Sequence, residues 1–170
     1  MSEAKATKEA TNVITNETGL VYKPDENKLV VYGTLINFRH STTKYSGAQE
    51  FYQVSVKTES LTPEVVAEVK KKYFSDTKEK YLPSFIKDME ETGGKVAIYV
   101  NLKSQYEIAT FMEGDGNKRY SMDDVIELGE GLPPLGSIVK LSIRLKENSA
   151  YPLAVMIVKL QKQDATDFFE

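Results

Sequence analysis

Cysteine is absent from the 170 residues, and histidine occurs once, as His40. Without thiols there is no disulfide framework, no thiolate zinc site and no cysteine nucleophile. With one imidazole there is no multi-histidine metal site, and a Ser-His-Asp triad would rest on a single candidate. No apolar run approaches the roughly 20 residues of a membrane-spanning helix, and the N-terminal stretch MSEAKATKEATN lacks the apolar centre of a signal peptide. A disulfide-free chain of this kind suits the cytoplasm. Motifs are missing as well. There is no Walker A sequence, and the prolines in GEGLPPLG remove N–H groups that a phosphate cradle needs. No GxSxG occurs. Asp115 and the Asp123-Asp124 pair are candidates for magnesium, but an acidic dipeptide is more simply read as a helix start. These gaps argue against an enzyme, and no cofactor or metal is expected.

What is present is enough for one domain with a substantial core, since 41% of the residues are hydrophobic and 28% charged. The formal charge of −3 is unevenly spread. Residues 1–27 carry three bases against five acids, and residues 163–170 carry three acids and no base. The body between them holds 19 bases and 17 acids, so it is faintly basic while the ends are acidic.

The first 19 residues, rich in Ala, Thr, Lys, Glu and Asn, read as a mobile arm, and residues 20–162 as the folded domain. Leu29 to Phe38 is β-branched and aromatic, a long strand in which Gly33 hints at a bulge or bend. Glu50 to Thr58 alternates, with Phe51, Gln53, Ser55 and Lys57 on one face and Tyr52, Val54 and Val56 on the other. The intervening polar stretch is a protruding loop between antiparallel strands. From Thr62 the period changes to 3.6: an N-cap threonine, Pro63 and Glu64 open a helix expected to reach about Lys80. A second short helix is expected over Ser84 to Glu91, closed by Gly93-Gly94. Lys95 to Lys103 and Tyr106 to Met112 read as further strands, and Ser137 to Lys146 and Tyr151 to Gln161 as the last two. In the penultimate one Lys140, Arg144 and Lys146 lie opposite Val139, Leu141, Ile143 and Leu145. Long antiparallel strands with one or two inserted helices describe a mainly β fold, a small OB-fold-like β-barrel.

Aromatic rings are interleaved with bases along these strands and loops. Single-stranded nucleic acid asks for that combination, cations for phosphates and flat rings for unpaired bases. The candidate phosphate contacts are Arg39, Lys44, Lys57, Arg119, Lys140 and Arg144, and the candidate stacking rings are Tyr45, Tyr52 and Tyr120. The competing reading places most of these rings in the core and leaves the basic stripe as a solvated outer face.

The chain ends in QDATDFFE, three acids with two adjacent phenylalanines after the last strand has finished. A tail of this type usually docks into something, either the body or a partner. An acidic, aromatic tail on an OB-like body resembles the single-stranded DNA-binding proteins of bacteria and tailed bacteriophages. The stretch from Gly131 to Lys162 resembles the phage type in its Gly/Pro loop, basic alternating strand, turn and apolar strand. The early helix from Thr62 does so too. The resemblance implies a protein that coats single-stranded DNA without strong sequence preference during replication and recombination. It implies that Asp164, Asp167, Phe168, Phe169 and Glu170 recruit partner enzymes, and it is compatible with a homodimer. The alternatives are a β-barrel protein-interaction module, in which the same rings meet a protein, and an RNA-binding barrel.

Overall fold

The structure, a computed structural model, describes residues 13–41, 51–78, 80–116, 118–128 and 134–161. The fold is mainly β, with two α-helices inserted among the strands. In chain order the strands are β1 (Ile14–Thr15), β2 (Val21–Lys23), β3 (Lys28–Ser41), β4 (Phe51–Thr58), β5 (Ile86–Thr92), β6 (Lys95–Ser104), β7 (Ala109–Met112), β8 (Arg119–Tyr120), β9 (Ile138–Lys146) and β10 (Ser149–Lys159). Helix α1 (Pro63–Tyr73) separates β4 from β5, and α2 (Met122–Leu128) separates β8 from β9.

The strands form one sheet in the order β5-β6-β4-β3-β9-β10-β7-β8, with β2 added beside β3 and β1 beside β2. The pairings are antiparallel except β7 with β10. The key element is β3. Its first half, Lys28 to Thr34, pairs with β9, and its second half, Gly33 to Ser41, pairs with β4. The change of partner occurs next to a bulge between Leu35 and Asn37, where the extra residue adds twist and lets the strand bend. Gly33 sits at the crossover because the neighbouring backbone comes very close. A Cβ there would lie 2.3 Å from the Lys57 carbonyl oxygen.

The barrel expected from the sequence is not closed by a ladder. Strand β6 parts from β4 after Ser104, and residues 105–108 carry the chain over to β7, which pairs in parallel with β10. The two flanks of the sheet therefore approach each other at a seam bridged by the chain rather than by strand pairing.

One face of the strands makes the core. Val31, Leu35 and Phe38 of β3, Val54 and Val56 of β4, Ile98 and Val100 of β6, and Val139, Leu141 and Ile143 of β9 are all fully buried. Helix α1 covers part of this core with Val65, Val66, Val69 and Tyr73. It starts as the sequence dictates: the Thr62 side chain accepts the Val65 N–H at 3.3 Å, ahead of Pro63 and Glu64. Such a cap is worth about 1 kcal/mol.

Three local expectations change. The first helix stops at Tyr73 rather than near Lys80, because Phe74 turns inward, is 2% exposed, and packs on Phe85 with ring centroids 5.8 Å apart. Ser84 to Glu91 gives no helix. Ile86–Thr92 is an edge strand on β6, and pairing with a preformed neighbour outweighs the weak helical spacing. The N-terminal arm is shorter than expected, since Ile14 and Thr15 already pair with Tyr22 and Val21. Residues 1–12 lie outside the described part.

Candidate nucleic-acid interface

The outward face of β9, β3, β4 and β6 is built by alternation. With Val, Leu and Ile on the core side, the intervening positions project away from it. The ladders place Ile138, Thr34, Lys57 and Tyr99 in one cross-strand row, and Arg39, Gln53 and Lys103 in another. Lys140 stands directly opposite Tyr32. Arg39, Lys57, Lys103 and Lys140 are exposed.

Several of these cations lie over rings. The Lys57 ammonium is 5.7 Å from the centre of the Tyr99 ring. The Arg39 guanidinium and the Lys103 ammonium are each 5.1 Å from the centre of Phe51. Cation–π contacts of this kind hold long side chains over the sheet surface at a cost of little rotamer freedom to a ligand that follows. Between the two aromatic clusters lies a fixed polar patch. Asn101 Oδ1 accepts from Gln53 Nε2 and from Ser55 Oγ, both at 2.6 Å, which orients the Asn101 amide with its oxygen toward β4.

Two clefts run along this face. One, of about 680 Å³, is lined by Tyr32, Gly33, Thr34, Lys57 and Lys140 on the sheet and walled by Glu17 to Gly19. The other, of about 590 Å³, is lined by Gln53, Ser55, Tyr99, Asn101 and Lys103 together with Ile36, which is 41% exposed. They meet at the Lys57–Tyr99 pair. From Lys57 to Phe51 the face spans roughly 20 Å along β4, at about 3.3 Å per residue.

The wall of the first cleft is held by one side chain. Asn16 Nδ2 donates to the Ser60 carbonyl at 2.8 Å, while Asn16 Oδ1 accepts from the Thr18 N–H, the Thr18 hydroxyl and the Leu20 N–H. Gly19, at φ +101°, passes so close that a Cβ would lie 2.8 Å from Tyr32 Cβ. Glu17 and Glu59 add negative charge to the lining that they share with Lys57 and Lys140. Glu90 acts on Tyr99 in the same way. Its carboxylate accepts the phenol and holds it above the ordinary tyrosine range, with Lys57 pulling the other way.

The expected site residues divide. Arg39, Lys57 and Lys140 share the face just described, and Arg144 lies further along β9, opposite Lys28 of β3 and Tyr151 of β10. Arg119 is elsewhere, on β8 at the far end of the strand path. Tyr52 projects to the core side, where it stacks on His40 and packs against the hydrophobic cluster. Tyr120 is half-buried beside the core, and its hydroxyl donates to Asp115, which holds the phenol above its ordinary range. Lys44, Tyr45 and the tail residues Asp164, Asp167, Phe168, Phe169 and Glu170 lie outside the described residues. The face instead presents Tyr32, Tyr99 and Phe51 as its rings, with the Gln53–Asn101–Ser55 patch. Tyr99, Asn101 and Lys103 alternate in the sequence, so their common face was legible there; their meeting with Phe51 depends on register.

Among the described residues the acidic side chains Asp115 and Asp123 have separate partners. Asp123 Oδ2 faces His40 Nδ1 at 3.3 Å and Asp115 takes the Tyr120 hydroxyl. Among the described residues no cluster of three or more His, Asp or Glu side chains could hold a metal ion, and no helix is long and apolar enough to cross a membrane. No family model, curated protein or solved structure matches the chain.

Proposed function

We propose that the protein binds single-stranded DNA, without strong sequence preference, along the outer face of β9, β3, β4 and β6. The observation that carries this reading is the alternation of cations and rings across four adjacent strands, Lys140 and Tyr32, Lys57 and Tyr99, then Arg39, Phe51 and Lys103. Cations neutralise phosphates, and rings offer the π-faces on which any unpaired base stacks. The strand order supports it. Numbered by appearance, β6, β4, β3, β9 and β10 lie in the order third, second, first, fourth, fifth, which is the OB arrangement, a fold whose second and third strands commonly face oligonucleotides. The protein would act by binding alone, holding exposed single strands during replication or recombination, with its acidic, aromatic tail at residues 163–170 recruiting partner proteins.

A protein-docking role is the second reading, favoured by the exposed Ile36 in the middle of the face. Titration of oligo(dT), oligo(rU) and duplex DNA over a range of salt separates the readings. The single-strand proposal expects tightest binding to oligo(dT), with log K falling linearly in log[salt] at about −0.7 per phosphate contacted. Preference for oligo(rU) moves the assignment to RNA. No binding at low salt removes the nucleic-acid reading and leaves protein docking.

A further inference from the structure

Beyond the two clefts, the face ends in a third and smaller one, of about 320 Å³, at the seam where β6 leaves the sheet. It is lined by Phe51, Lys103, Ser104, Gln105, Tyr106 and Tyr151, a size at the lower end for small-ligand pockets. It shares Lys103 with the second cleft. The second and third depressions therefore adjoin, and the first lies across the Lys57–Tyr99 pair from the second, so the three follow one another as a path along the sheet.

Three features distinguish this pocket. Its lining has three aromatic rings and no carboxylate, whereas both larger clefts include acids. Two of its rings are unusually open: Tyr106 is 73% exposed and Tyr151 44%. Neither ring is needed to fill the core. Each nevertheless leaves the backbone at a defined point. The Tyr106 N–H donates to Ser104 Oγ at 3.0 Å, a local turn that fixes where the ring leaves the chain. Tyr151 stands on β10 opposite Arg144, with the Lys146 ammonium 5.4 Å from its ring centre. Arg39 and Lys103 each lie 5.1 Å from the centre of the Phe51 ring.

Flat rings ringed by cations, with no acid among them, suit a ligand that is planar and carried on a polyanion. We infer that the Phe51–Tyr106–Tyr151 pocket is a base-stacking subsite, which takes one unstacked nucleobase of a single strand while Lys103 and Lys146 hold the flanking phosphates. This rests on the single-strand reading above. It adds a fixed point at one end of the path, so that the strand is gripped by stacking at the seam and by charge along the sheet.

The test compares oligo(dT) with an abasic deoxyribose-phosphate chain of equal length, for the wild type and for Tyr106→Ala, Tyr151→Ala and Tyr106→Trp. Both alanine variants remove exposed rings and are expected to melt like the wild type. Expected is a loss of about tenfold in oligo(dT) affinity for each, with the salt slope unchanged and affinity restored by Tyr106→Trp. The abasic chain should bind the wild type and the alanine variants alike. If both alanine variants bind oligo(dT) as tightly as the wild type, the pocket takes no base and the inference fails while the face reading stands. If they lose affinity for the abasic chain by the same factor, the rings act on the backbone and stacking is overturned. A wild type that binds neither chain at low salt overturns the face reading itself, and with it the subsite.

Discussion

His40 and Tyr52 stand directly opposite each other in the β3–β4 ladder and stack with ring centroids 4.2 Å apart and planes 15° from parallel. The stack lies on the core side of the hairpin, and His40 Nδ1 also meets Asp123 Oδ2 of α2 at 3.3 Å. It thus ties the second half of β3 to the helix before β9. Replacing Tyr52 with Ala should cost about 2–3 kcal/mol of folding stability, less than a fully buried ring because Tyr52 is half-buried. Single-strand affinity of the folded protein should be almost unchanged. Denaturant melts set beside oligo(dT) titrations check both halves, and a variant that melts normally but binds poorly would put Tyr52 on the binding surface after all.

Gly33 is expected to be intolerant for a reason of space alone. The Lys57 carbonyl is backbone and cannot swing aside from a new Cβ 2.3 Å away. Gly33→Ala should therefore destabilise by roughly 1–3 kcal/mol, the range for forced overpacking. Gly94, with open space around it, gives the contrast in sterics, although its φ of +81° adds strain of its own. Urea midpoints decide the matter, and a Gly33→Ala protein as stable as the parent would mean that β3 and β4 separate there at little cost.

Lys140 and Arg119 test the location of the interface without disturbing the core, since both are exposed. Lys140→Gln should weaken single-strand binding and lower the salt slope by about 0.7. Arg119→Gln, on β8 at the far end of the strand path, should leave both quantities as they were. The reverse pattern would move the interface to the β7–β8 side.

Tyr22 sets an alkaline limit. It is 3% exposed, and burial first, then the neighbouring Tyr73, pushes its phenol far above the ordinary tyrosine range. The folded pKa lies above the unfolded one of about 10. The stabilising contribution is therefore complete below pH 10 and is lost as pH rises toward the folded pKa. In that window unfolding free energy should fall by about 1.4 kcal/mol per pH unit from this group. Tyr99 and Tyr120 also shift upward, but on the surface, where solvent screens the effect. Melts at pH 9, 10 and 11 should show a shallower decline for Tyr22→Phe, and identical declines would assign the alkaline loss to other groups.

The strands were legible because alternation is a local signal. The inward series Val139, Leu141, Ile143 and Leu145 can be read directly, and the outward placement of Lys140 and Arg144 follows from it. The start of α1 was legible for the same reason, since Thr62, Pro63 and Glu64 are adjacent. Its end was not, because Phe74 turns in to meet Phe85 across a loop. Strand β5 is not legible as a strand because its one-sided pairing with β6 leaves no alternation, only an exposed, charged edge. The site failed in the sequence where it depends on register. Nothing local says that Tyr52 points inward with a stacked histidine while Phe51, one residue earlier, collects two cations. The open seam likewise depends on where β6 ends relative to β10.

The pairing of β3 with β2 and β4 along one edge and with β9 along the other has a consequence for biosynthesis. Strand β4 follows soon after on the chain, but β9 begins at Ile138, more than a hundred residues beyond the Thr34 with which it pairs. During translation the Lys28–Thr34 edge, including Leu29 and Val31, must wait for that partner for roughly 5–20 s at ordinary elongation rates. An unpaired apolar edge is a template for pairing with the same segment of another nascent chain. Release of the chain before β9 has emerged would therefore yield aggregates rather than a smaller folded protein, and complete synthesis of the β9 segment would govern how much of the product stays in solution.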